Sequence, residues 1–387
     1  MADVAAAPTK ANLQAALHAT LQAGIQAGVP AVSATISTSS RGIIWQAATG
    51  AADVEDGRPV SVDHVFGVGS ITKVFTAVVI LQLVDEGKLA LSDVLGNLLA
   101  RDVYEGIENA REATIDSLLS HRAGVESWED DAVWIVEGRG RALEASKIWG
   151  KTEALKYIRR ASPLHPGTFA YSNTNFTLLG LVIEKITQQT AEAEVRRRIL
   201  EPLKLHHTYL EGFEEPTVPA DLVPNRYHFN TETFRREAGI CPAFSQPREG
   251  LINASASNLS VEWTAGGMLT TAQDLASFAL ALRDGALLSP SSMAVLKAFR
   301  YAAGNSEMGH GLFRYSSPHG YGRWLGHNGS VLGFTGSMFW KEDGDCAVAV
   351  LANIGTMHCG PDIPSSAPDI VVGTEFLKLA AQLAALE

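Results

Sequence analysis

The chain of 387 residues is predicted to adopt an α/β (α+β) fold: an antiparallel sheet assembled from both chain ends, flanked by helices, with a mainly helical domain inserted between them. Three observations carry this prediction. Residues 29–37 and 42–49 are short β-rich runs around a Ser39-Ser40-Arg41-Gly42 turn, the pattern of a hairpin. Residues 335–340 and 346–353 flank Lys341-Glu342-Asp343-Gly344-Asp345 in the same way, so a second hairpin lies near the opposite end. Between them the apolar residues recur at helical spacing.

The first hairpin leads into a strand-like run at 65–68, and helical periodicity then occupies 70–86, 114–120, 152–160, 174–187 and 272–283. A last helix is expected over 369–386. The resulting division places an α/β domain at 1–68 and 262–387 and a mainly helical domain at 69–261, with a cleft between them. The loop-rich stretch 212–258 is expected to shape that cleft. The sequence shows no internal repeat or low-complexity linker that would add an independent module.

Composition narrows the partners. Lysine and arginine number 31 against 42 acidic residues, and a net charge of −11 opposes a nucleic acid or other polyanion. The run 74–84 is interrupted by Thr76 and Gln82 and is shorter than the roughly 18 residues that span a bilayer, so no membrane partner is expected. The first ten residues lack the basic start and apolar core of a secretory signal, and Cys241, Cys346 and Cys359 form no C-x-x-C pair; both features read as cytoplasmic. There is no H-E-x-x-H, no dinucleotide-binding or phosphate-binding glycine loop and no G-x-S-x-G elbow. Neither a metal nor a cofactor is expected.

Three groups of residues carry chemistry. Ser70 stands in Gly69-Ser70-Ile71-Thr72-Lys73 at the start of a strongly apolar helix. Positions i and i+3 share a helix face, so the Lys73 amine can reach the Ser70 hydroxyl. A serine needs such a base, and burial lowers a lysine pKa toward that task. Tyr171-Ser172-Asn173 follows Pro166-Gly167; a phenol near a lysine ammonium can have a lowered pKa and relay protons, and an asparagine amide can orient the lysine and hold a substrate carbonyl. His327-Asn328-Gly329-Ser330 precedes the second hairpin as an edge strand on which Gly329 admits substrate backbone. There His327 can position a carbonyl or carboxylate, and the Ser330 amide can join that of Ser70 in an oxyanion hole. Taken singly, each group has a plainer reading: a helix cap beside a solvated lysine, a core tyrosine, a structural histidine.

Together and in this order, S-x-x-K, Y-x-N and H-x-G resemble the serine β-lactamase, penicillin-binding-protein and D-peptidase superfamily. Leu118-Leu119-Ser120-His121-Arg122-Ala123-Gly124 is similar to that family's L-L-x-H-x-S-G segment, with Ala123 at the serine position, and Glu201-Pro202-Leu203-Lys204-Leu205 to its P-L-G-M turn. The resemblance implies a β-lactamase-like fold over residues 12–386 and a serine hydrolase acting on a small amide, peptide or ester. It implies Ser70 as acyl-enzyme nucleophile, Lys73 as its proton partner, Tyr171 as general base and acid, and Asn173, His327, Gly329 and Ser330 as substrate-binding or orienting residues. His-Asn-Gly-Ser in place of Lys-Thr-Gly is similar to D,D-carboxypeptidases and D-amino-acid amidases, which favours an amide or peptide over an ester or a lactam. The acidic, aromatic segment 127–134 is expected to border the cleft and attract a cationic amine through Asp130 and Asp131.

Overall fold

The computed structural model describes residues 9–316, 322–361, 363 and 373–386. Eight strands form one antiparallel sheet: β1 (Ala31–Thr38), β2 (Gly42–Gly50), β3 (Arg300–Ala303), β4 (Ser306–Met308), β5 (Phe313–Ser316), β6 (Arg323–Val331), β7 (Phe334–Lys341) and β8 (Ala347–Ala352). Their spatial order is β2-β1-β8-β7-β6-β5-β4-β3. The amino-terminal hairpin therefore pairs directly with the last strand, from Val32 opposite Ala352 to Ser37 opposite Ala347. Both expected hairpins are present, with boundaries moved by one or two residues.

Helices cover both faces of this sheet, which explains why all eight residues of β1 are buried rather than alternating. On one face, Val32, Ala34 and Ile36 meet Leu13, Leu17 and Leu21 of α1 (Lys10–Gln26). On the other lies α4 (Ala272–Arg283), whose bounds coincide with the expected 272–283. The carboxy-terminal helix α5 (Gly373–Ala385) adds Phe376, Leu379 and Leu383 to the first face, while residues 369–372 of the expected helix and residues 1–8 lie outside the described residues.

The helical segment centres on α2 (Thr72–Asp85), in which eleven of fourteen residues are buried. A helix apolar on every side belongs in the middle of a core, and α2 packs against α3 (Asn173–Thr187), while its Phe75 stacks on Phe278 of α4. Residues 153–158 form a 3-10 helix instead of the expected α-helix, because only Ala154, Leu155 and Ile158 have core to meet and the run is too short to propagate. Within the loop-rich stretch, Tyr227–Phe229, Leu251–Asn253 and Ser245–Arg248 form a small sheet completed by Ile354–Gly355. A third sheet pairs Phe66–Gly67 with Met268–Thr270, and Val68 N donates to Met268 O at 2.9 Å. That pairing fixes the chain just before Ser70. All three cysteines are buried and unpaired.

Candidate active site

Gly69 turns the chain with φ of +53°, a left-handed conformation that glycine adopts without strain. A 3-10 turn, Gly69–Ile71, then leads into α2, so Ser70 sits two residues ahead of the α-helix rather than within it. Its side chain is half-buried. Lys73, on the first turn of α2, is fully buried and donates to Ser70 Oγ at 2.9 Å and to Ala265 O at 2.6 Å. Burial drives its pKa down, while Glu129 and Glu262 hold it up in part.

The strand β6 reaches this turn through a second glycine. A Cβ on Gly69 would lie 2.8 Å from Ser330 N, and a Cβ on Gly329 would lie 1.8 Å from Val68 O and 2.9 Å from Ser70 N. Only two glycines facing each other let the backbones close to this distance, and the closure sets the Ser330 amide nitrogen against Gly69 and the Ser70 amide nitrogen against Gly329. On its other side β6 pairs with β5 only over Arg323–Gly326, so from His327 onward it has no further ladder partner there among the described residues. The expected edge strand is therefore an edge only in its second half. Ser330 Oγ is anchored by Thr356 Oγ1 at 2.8 Å.

Tyr171 is half-buried, but its hydroxyl oxygen is sealed from solvent and faces the Ser70 hydroxyl, and its ring centroid lies 5.1 Å from Lys73 Nζ. Its hydroxyl makes no hydrogen bond of ordinary geometry to a described residue. Burial, with Glu129 and Glu262 nearby, raises the phenol well above its usual pKa, opposite to the lowering expected beside a lysine. The ring stacks on His121 at 4.2 Å, and His121 also accepts from Ser172 N at 3.0 Å and, through its carbonyl, from Ala170 N at 2.9 Å. This is the physical use of the Leu118–Gly124 segment: it holds the Tyr171 loop.

His327 lies 6.0 Å from the Tyr171 ring. Burial and the Lys73 charge push it down to about 3, so it enters the site as a neutral hydrogen-bonding ring rather than a cation. Its Nδ1 contacts Asn328 O, and its Nε2 is buried without a partner among the described residues. Asn173 does not bond Lys73: its Nδ2 donates to Glu129, its backbone N donates to Ser127 Oγ at 3.1 Å, and its Oδ1 is left unpartnered. In the acidic segment, Asp131 caps residues 132–134 and pairs with Arg160 at 2.6 Å, which commits it to structure; Asp130 is exposed.

Sequence reasoning missed the groups behind Lys73. Arg139, 1% exposed, bridges Glu129 at 2.6 Å and Glu262, which is also 1% exposed. No local pattern marks them, because the pairing spans 123 residues. Arg139→Met should destabilise the fold by about 3–5 kcal/mol, since two buried carboxylates would then face each other unpaired; equilibrium urea unfolding measures it, and a loss under 1 kcal/mol would deny the pairing. Among the described residues no cluster of histidine, cysteine or acidic side chains could hold a metal ion, and no helix is long and apolar enough to cross a membrane.

The family model for Beta-lactamase matches residues 13–360. Penicillin-binding protein 4 of Amycolatopsis lactamdurans is 32% identical over 168 residues, 43% of this chain and 42% of that protein. The chain spans less than two thirds of the length of the curated relatives it matches first. Among solved structures, a D-stereospecific amidohydrolase from Streptomyces superposes with a TM-score of 0.76 at 26% identity, covering 95% of this chain and 98% of that one. The D-amino acid amidase of Ochrobactrum anthropi shares the fold with a TM-score of 0.80 at 23% identity, covering 96% and 98%.

Proposed function

The chain belongs to the beta-lactamase family, and from that premise we propose that it is a serine hydrolase cleaving a small amide or peptide bond, with D-stereoselectivity, through an acyl-Ser70 intermediate. The observation that carries this reading is the convergence on one hydroxyl of a buried amine at 2.9 Å, a buried phenol and two adjacent backbone amides. The Lys73 amine, made available by burial, takes the Ser70 proton as Oγ attacks the carbonyl carbon. Negative charge on the carbonyl oxygen is met by the Ser70 and Ser330 amides. Tyr171, held protonated by burial, gives its proton to the leaving nitrogen and recovers one from Lys73; water then releases the acyl group along the reverse path. Tyr171 thus starts as the acid, and Lys73 as the base.

The His327–Ser330 stretch of β6, which has no ladder partner on the β5 side among the described residues, can take an extended substrate, and the unpartnered Asn173 Oδ1 and His327 Nε2 offer it an acceptor and a neutral ring nitrogen. The likeness to an amidohydrolase of D-stereospecific name supports an amide with a D-residue on the acyl side. Three unpaired buried thiols support a reducing, cytoplasmic setting.

Lys73→Ala and Tyr171→Phe should each lower kcat/KM by at least about a hundredfold. Rates like wild type in either variant would remove the assigned role. Activity profiling against D- and L-amino-acid amides, short peptides, matched esters and a chromogenic cephalosporin tests the substrate class. The proposal expects D-amides to lead; faster turnover of esters, or acyl transfer to an added alcohol, would favour an esterase or acyltransferase.

A further inference from the structure

We propose that Glu262 is a positioning residue for Lys73: its carboxylate, locked by Arg139, sets how readily the ammonium beside Ser70 gives up its proton. This rests on the reading of Ser70 as a residue acylated with the help of Lys73. Glu262 stands immediately before the short helix Trp263–Gly266, and its carbonyl accepts from Ala265 N at 2.8 Å. The carbonyl of that same Ala265 anchors Lys73 at 2.6 Å, so one turn of chain carries both the lysine's fixed acceptor and a buried carboxylate. Glu262 Oε2 lies 3.2 Å from the Cβ position of Gly266, a position itself 3.5 Å from the Gly69 carbonyl carbon; the carboxylate therefore sits close behind the Ser70 turn.

The charges around this point are few and sealed. Lys73 is faced by Glu129, Glu262, Tyr171, His121 and His327, and both imidazoles are held neutral by burial. Glu262 is faced by Arg139, Glu129, Lys73 and Tyr171. Burial pushes the Glu262 carboxyl above the usual carboxylate range, while the Arg139 guanidinium and the Lys73 ammonium favour its charged form, so the Glu262 charge is held chiefly by these two cations and offsets theirs. Removing one carboxylate charge while Lys73 stays protonated leaves a net positive charge in the interior, which burial disfavours, so the ammonium must yield its proton more readily. Glu129→Gln should act in the same direction, because Arg139 holds both carboxylates through one nitrogen.

The test follows acylation of the full chain by p-nitrophenyl acetate as a function of pH, with the Ser70 adduct read by quenched intact mass and peptide mapping. In Glu262→Gln the pH of half-maximal acylation should fall by about one unit or more, equivalent to about tenfold more free amine at a fixed pH on the acid limb. Glu262→Asp, which keeps the charge, should remain within about 0.3 unit of wild type. A merely structural role would lower the melting temperature and leave the limb in place. Superimposable limbs in Glu262→Gln and wild type overturn the proposal, and if Glu262→Gln does not fold, Glu129→Gln decides by the same criterion. A wild-type chain that never acquires an acyl group at Ser70 overturns the acyl-serine reading and this inference with it, a result distinct from an unmoved limb.

Discussion

Ser70→Ala should abolish turnover while leaving the fold intact, a loss on the order of a millionfold, the size seen when an acyl-transfer serine is removed from its catalytic group. The substitution is mild for the structure. Alanine suits the short turn before α2, the half-buried site tolerates a smaller side chain, and Lys73 keeps Ala265 O as a hydrogen-bond partner at 2.6 Å. Only the oxygen proposed to form the acyl bond is lost. Thermal melting and kcat on the best amide, measured side by side, check this; a variant retaining even a hundredth of wild-type turnover would mean that another group attacks the carbonyl.

The second large effect is expected at Gly329→Ala, a change of a single methyl group at a residue with no part in proton transfer. The new Cβ would stand 1.8 Å from Val68 O and 2.9 Å from Ser70 N, and both are backbone atoms fixed by neighbouring secondary structure. Val68 is tied to Met268 O at 2.9 Å, and Gly329 pairs with Gly336 in the sheet, so neither side can swing away as a flexible side chain would. The strand and the nucleophile turn must part, separating the Ser70 and Ser330 amides. A fall in kcat of at least about a hundredfold should follow, comparable to removing one oxyanion donor. Gly304→Ala is the control: Gly304 has φ of +52° but nothing within 4 Å of the added carbon, so it should keep its activity. Equal losses in the two variants would show that general backbone strain, and not the approach of β6 to the turn, is responsible.

Much of this architecture was legible from residue pattern. The two hairpins announce themselves because turn residues separate β-rich runs, and α2, α3 and α4 because their apolar spacing is long enough to fix a period. Ser70 and Lys73 are bound by local geometry, and the structure places Tyr171, His327, Gly329 and Ser330 around them, with Asn173 turned to Glu129 instead of the lysine. What pattern could not supply is whatever depends on distant chain. Strands of two or three residues, such as Phe66–Gly67 and Tyr209–Leu210, have no period to read and exist through their partners. The Arg139 bridge joins residues without any shared motif. Tyr171 sounded like a phenol with a lowered pKa because lysine is near, but burial outweighs that charge, a balance that only the packed structure reveals.

The central claim is a covalent bond at one oxygen. Wild-type protein mixed with a chromogenic ester or D-amino-acid amide, quenched in acid within the first turnovers and analysed by intact mass and peptide mapping, should carry one acyl group on the peptide containing Ser70. Turnover without any adduct at that serine, or an acyl group on a different residue, would contradict the account.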